Sequence, residues 1–228
     1  MGSVYGPNIV TDGLVFLMDA GNAQSYPGSG TTVYDLVGNN NGTLTGDAVY
    51  SSADGGVIDI IDSGDYINVL NSTSLPANLQ TWAIWVNFDT LPASNSYDSV
   101  WLKSANWNST GGVGLQFIYN YLTWSWGNNW GGTCSVAQST LSTGVWYYIV
   151  GTSPGDTSTN GCKFYINGDL KDTGTAAVVP SNGYPLLIGS GHGDSMNGQI
   201  ARFEIWSGEL TAAQILQNYN AHKSRFGL

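Results

Sequence analysis

Apolar and polar positions alternate with period two along much of the chain, the spacing that puts every second side chain on one face of a pleated strand. The alternation is sharpest in Trp82-Ala83-Ile84-Trp85-Val86-Asn87-Phe88, where Trp82, Ile84, Val86 and Phe88 share a face, and it predicts a core strand. Two continuous apolar runs, within residues 13–19 and 145–150, predict strands covered on both faces. Lys163 to Ile166 runs into Asn167-Gly168 and then Asp169-Leu170-Lys171, which predicts a hairpin, because a type I′ turn needs two residues that tolerate positive φ. Further strands are expected at residues 57–61, 65–69, 99–103, 113–119, 121–126, 186–189 and 199–206, about a dozen in all. One segment reads as a helix. Thr211-Ala212-Ala213-Gln214 forms a capping box, and Ile215, Tyr219 and His222 follow on one stripe.

No internal repeat, Pro-rich linker or charge block divides the chain, so the pattern predicts one domain over residues 13–228 behind an extended arm of residues 1–12. Many short strands and 31 glycines predict an all-β sandwich with one short C-terminal helix. At 228 residues the chain is long enough to bury a core without staples. Six basic against 16 acidic side chains give a net charge of −10, which repels a phosphate backbone and excludes nucleic acid as a partner. Only Glu204 and Glu209 are glutamates; the other acids are aspartates, whose short carboxylates bond nearby amides and belong in turns. No apolar run has the length of a membrane span, and the first residues lack the pattern of a secretory signal. Cys134 and Cys162 fit either a disulfide, if their strands lie together, or two small buried hydrophobes. Because size does not call for a bridge, free thiols are expected.

Several segments in order resemble the laminin G-like branch of the concanavalin A-like lectin and glucanase superfamily. They are Gly13-Leu14-Val15-Phe16-Leu17-Met18-Asp19-Ala20-Gly21-Asn22, the stretch from Ser25 to Thr32, Tyr34-Asp35-Leu36, Asn41-Gly42-Thr43-Leu44, Asp65-Tyr66-Ile67, Trp82 to Val86, Trp146 to Thr152, Phe164 to Gly168, and Asn197-Gly198-Gln199-Ile200-Ala201. The opening segments look like the start of such domains in bacteriophage virion proteins. The resemblance implies a two-sheet antiparallel jelly roll. It leaves function open, since the superfamily hosts binders, enzymes and structural modules. Ile60-Ile61-Asp62-Ser63-Gly64 departs from the family, which more often has an aromatic residue before this turn.

A glycoside hydrolase on this scaffold needs two carboxylates flanking the scissile bond. Glu204, the one strand glutamate, sits two residues from Arg202, which neutralises it, so no enzymatic activity is expected. His192, Asp194 and Ser195 are close in sequence, but triad members are brought together by folding, and this Gly-rich stretch reads as a solvent loop. Trp124 and Trp126 alternate with Ser125 and read as core. Trp107 between asparagines, and Asn128-Asn129-Trp130, read as loop tips where an indole could stack on the C–H face of a sugar while amides bind its hydroxyls. Asp62 and Asp65, across Ser63-Gly64, are calcium candidates, although turn capping explains them without a metal.

These features predict a non-enzymatic virion-surface protein, a capsid decoration or tail-associated subunit. It would bind glycans or a host surface, need no cofactor, insert in no membrane, and be oligomeric or anchored on other virion proteins. An extracellular location is the alternative. Two other readings are an assembly module with no sugar ligand and a glucanase-like hydrolase.

Overall fold

The computed structural model describes residues 8–78, 80–94, 96–104, 112–127, 132–179, 182–191 and 194–228. In chain order the strands are β1 (Leu14–Asp19), β2 (Thr32–Val33), β3 (Gly42–Thr45), β4 (Val49–Ser51), β5 (Val57–Ile60), β6 (Tyr66–Val69), β7 (Thr81–Thr90), β8 (Tyr97–Lys103), β9 (Gly112–Ile118), β10 (Tyr121–Gly127), β11 (Gly132–Ala137), β12 (Trp146–Thr152), β13 (Cys162–Ile166), β14 (Asp169–Gly174), β15 (Leu186–Ile188), β16 (Asp194–Ser195) and β17 (Asn197–Trp206). One sheet runs β14-β13-β12-β7-β17-β5-β4, with β1 also on β17. The other runs β11-β10-β9-β8-β15-β6-β3-β2, with β16 on β8. Among the described residues the pairings are antiparallel apart from β16 on β8, so the fold is the expected two-sheet β-sandwich.

The period-two reading of β7 holds and extends to both faces. Trp82, Ile84, Val86 and Phe88 enter the core between the sheets, where Trp82 stacks on Trp101 of β8 at 4.8 Å. Ala83 and Trp85 enter a second apolar cluster on the outer face of the first sheet. Helix α1 (Ala212–His222) and the turn Lys223–Phe226 cover that face, with Trp85 stacked on Phe226 at 4.4 Å and on Tyr219 at 5.8 Å. The capping box starts this helix as predicted: Thr211 Oγ1 accepts from Gln214 N, and Thr211 N donates to Gln214 Oε1. Packing between the sheets is close. A Cβ on Gly151 of β12 would lie 2.2 Å from the Trp124 ring, so only glycine lets that indole lie flat against the strand. The predicted hairpin joins β13 to β14 through Asn167 at φ 54° and Gly168 at φ 85°.

The free-thiol expectation is overturned, since Cys134 of β11 and Cys162 of β13 form a disulfide. β11 is an edge of its sheet and β13 lies next to the edge of the other, so the bond joins the two layers at the margin where they converge. This convergence is not legible from the spacing of the strands along the chain. At the N-terminus, residues 1–7 lie outside the described residues, and the chain just beyond them is docked. Val10 N donates to Asn218 Oδ1, Trp206 Nε1 donates to Val10 O, and Gln217 Nε2 donates to Asn8 O.

Candidate functional site

The outward face of β8 to β11 is built by strand alternation. Leu122, Trp124 and Trp126 of β10 point into the core, as expected for the two tryptophans, so Tyr121, Thr123 and Ser125 point out. Register then assembles rows across the strands. Tyr97, Ile118, Tyr121 and Ala137 form one row, Ser99, Gln116, Thr123 and Ser135 the next, and Gly114, Ser125 and Thr133 a third. Tyr119 sits in the β9–β10 turn at φ 54° and packs edge-on against Tyr97 at 5.3 Å. Tyr119 and Tyr121 are each about half exposed. A hydrogen bond with the Tyr119 side chain, with some burial, raises the Tyr97 phenol above its ordinary value, so it stays neutral near pH 7.

Tyr97, Ile118, Tyr119, Tyr121, Thr123 and Thr133 line a depression of about 490 Å³ that Ser135 also borders. Through Ser135 it adjoins a groove of about 590 Å³ running past Leu141 and Tyr147 to Asn167 and Lys171, and through Tyr121 a shallower one of about 350 Å³. Of the polar residues on this face, Ser99, Gln116, Thr123 and Ser125 are buried. Gln116 Nε2 donates to Ser99 Oγ at 2.8 Å, while Gln116 Oε1 and Ser125 Oγ have no partner among the described residues. Buried polar atoms of this kind are normally satisfied by protein, water or ligand. An aromatic rim beside the hydroxyls of Thr123, Thr133 and Ser135 can stack on a sugar ring and exchange hydrogen bonds with its hydroxyls.

The sequence-predicted contacts Trp107, Asn128, Asn129 and Trp130 lie outside the described residues. The sequence reading missed the tyrosine rim and the polar row. Its only signal was the alternation in residues 121–126.

The calcium candidates do not fit a cation. Asp65 is buried and aims its oxygens at amides: Oδ1 accepts from Asp47 N at 2.6 Å, and Oδ2 from Ile61 N and Asp62 N at 3.2 and 3.0 Å. It braces the turn, and Asp62 beside it is exposed. Among the described residues no three His, Cys, Asp or Glu side chains group around a common point.

Glu204 is 1% exposed on the outer face of the first sheet. As the sequence suggests, Arg202 holds it, with Nε donating to Glu204 Oε1 at 2.7 Å. Tyr148 OH donates to Oε2 at 3.2 Å, Arg202 Nη1 pairs with Asp19 Oδ2 at 2.7 Å, and Arg225 Nη1 reaches Asp19 Oδ1 at 2.8 Å. Burial pushes the Asp19 carboxyl up, but the two guanidinium groups together bring it below its ordinary value. His222 adjoins this network. Burial, and then Arg202, lower its pKa, against the stabilisation that a helix C-terminus gives a charged imidazole. His192 lies outside the described residues, and Ser195 Oγ accepts from Gly64 N.

Lys103, at the end of β8, is enclosed, with Nζ donating to Asn71 Oδ1 and Tyr184 O, and burial pushes its pKa down to about 8. Between that value and the ordinary 10.5, the unfolded chain holds a proton that the folded chain has released, so stability rises with pH. Urea unfolding between pH 8 and 9.5 should show a gain approaching about 1.4 kcal/mol per pH unit from this group. Lys103→Met should remove that slope; an unchanged slope would assign it elsewhere.

Residues 62–216 match a laminin G family described as the Concanavalin A-like lectin/glucanases superfamily. The chain belongs to this superfamily. Its lectin-like jelly roll recurs in domain 4 of AbnA, a GH43 extracellular arabinanase from Geobacillus stearothermophilus, in complex with arabinotriose. The likeness has a TM-score of 0.68 at 19% identity, over 90% of this chain and 98% of that one. It recurs in the binding domain of Paraclostridial Mosquitocidal Protein 1, with a TM-score of 0.68 at 17% identity, over 92% of this chain and 52% of that one. It recurs again in the binding domain of Botulinum Neurotoxin DC in complex with SialylT, with a TM-score of 0.67 at 16% identity, over 92% and 52%. This lectin-like chain thus spans about half the length of the two toxin domains. At these identities the likeness is one of fold. A search of the curated proteins finds no sequence match.

Proposed function

We propose that this lectin-like domain is a non-enzymatic glycan-binding protein carried on a virion surface, and that the tyrosine face of β8 to β11 is its sugar site. The observation that carries the sugar reading is the half-exposed Tyr119 and Tyr121 rim in one depression with Thr123, Thr133 and Ser135, whose rings and hydroxyls match the C–H faces and hydroxyls of a sugar. The arabinanase domain bound to arabinotriose lends support. The absence of catalysis rests on Glu204, whose two oxygens are engaged by Arg202 and Tyr148. The virion setting rests on the resemblance of the opening segments to phage proteins.

A glycan array tests the reading. Tyr121→Ala, at an exposed position, should lower the signal at least tenfold, a loss of about 1.4 kcal/mol, with circular dichroism unchanged. Loss of signal in Trp107→Ala or Trp130→Ala with Tyr121→Ala unchanged would assign the sugar to the tryptophans instead. An array silent for the folded protein would count against glycan binding, and a positive reducing-end assay lost in Glu204→Gln would revive the hydrolase.

One observation favours an assembly role alongside. Val33, Gly42 and Val69 are in register, so Tyr34 and Leu70 emerge at the same end of that ladder, and Leu70 is 73% exposed. Because Val10 is bonded to the domain, deleting residues 1–7 is the cleaner test of an anchoring arm. Under the arm-anchored role the shortened chain keeps its melting temperature but no longer enters particles.

A further inference from the structure

We propose that the tyrosine face accepts neutral saccharides and rejects sialylated or sulfated ones, an inference that rests on the glycan-binding reading above. A sugar carboxylate or sulfate is usually held by a cationic side chain through charge-assisted hydrogen bonds. The chain has six basic side chains, and each has a place. Arg202 is enclosed with Asp19 and Glu204, and Arg225 reaches Asp19. Lys163 pairs with Glu209 at 2.5 Å, and Lys223 lies over the Tyr219 ring at 5.4 Å. Lys103 is buried against Asn71 and Tyr184. Lys171 borders the adjoining groove and pairs with Asp169 at 3.3 Å.

None of the six lines the tyrosine depression, whose described walls are phenol, hydroxyl and aliphatic groups. Segments 105–111 and 128–131 contain no Lys or Arg. The net charge of −10 adds a long-range repulsion against any anion. Hydroxyls both donate and accept, which matches a neutral polyol and leaves a carboxylate without compensation for the water it would shed.

The test is an array printing each core glycan in neutral, sialylated and sulfated form, probed with the full chain at pH 7.5, where an imidazole of ordinary pKa is neutral. The bound features should be neutral, and capping a bound core with sialic acid should lower its signal at least tenfold. Ser135→Lys, which sets an ammonium group beside Thr123, should narrow that gap. Equal or stronger binding of the sialylated or sulfated forms would overturn the charge inference while leaving the glycan reading standing. Silence across the whole array would overturn both.

Discussion

Replacing Arg202 with Met is expected to lower the unfolding free energy by about 3–5 kcal/mol at pH 7, the usual cost of leaving buried charge unpaired. The guanidinium bonds two enclosed carboxylates, Asp19 at 2.7 Å and Glu204 at 2.7 Å. Neither can turn to water, because β17 lies inside the sheet and α1 with the Lys223–Phe226 turn covers this face. For a chain of this length such a loss corresponds to a fall of about 10 °C in melting temperature. Acid should act on the same network. The depressed Asp19 contributes stability above its ordinary pKa of 3.8, and this is lost as pH falls through the lower folded value. Chemical denaturation of both proteins at pH 7 and at steps below pH 3.8 checks this: the gap should narrow as the pH falls. A loss under about 1 kcal/mol at pH 7 would mean that Asp19 and Glu204 find other partners.

The second large effect concerns the cross-layer disulfide. With Cys134 and Cys162 separated by 28 positions in the sequence, closing the loop restricts the unfolded chain by about 3.5 kcal/mol. Two other contacts hold the same margin: Ser135 N donates to Asp172 Oδ2 at 2.7 Å, and Gly174 packs against Thr133. The double variant Cys134→Ala/Cys162→Ala should therefore fold, with stability reduced by roughly 2–4 kcal/mol. The groove bordered by Ser135, Val136, Ile166 and Lys171 spans this margin, so its walls should loosen first. Equilibrium unfolding with and without reductant checks the expectation. The parent should fall to the variant's stability, and the variant should not respond.

What could be read from the sequence was local. The Asn167-Gly168 turn, the Thr211 capping box and the alternation around Trp82 each depend on a few neighbouring residues, and the structure has all three. The pairing of Glu204 with Arg202 was legible because residues two apart on a strand share a face. The parts that were missed depend on register. β11, with the sequence GTCSVA, shows little apolar contrast, and β2, β4 and β16 have only two or three residues. Without β11 in place, neither the Cys134–Cys162 bond nor the row through Ser99, Gln116, Thr123 and Ser135 can be inferred. Tyrosine, serine and threonine line one depression only once the strands align them.

Amide chemical-shift mapping of the labelled chain, titrated with the array's strongest neutral glycan, tests the sugar face most directly. The account predicts that the shifts concentrate at Tyr97, Tyr119, Tyr121, Thr123, Thr133 and Ser135, and vanish in Tyr121→Ala. Saturable binding that leaves these six amides unmoved and perturbs another face would contradict it.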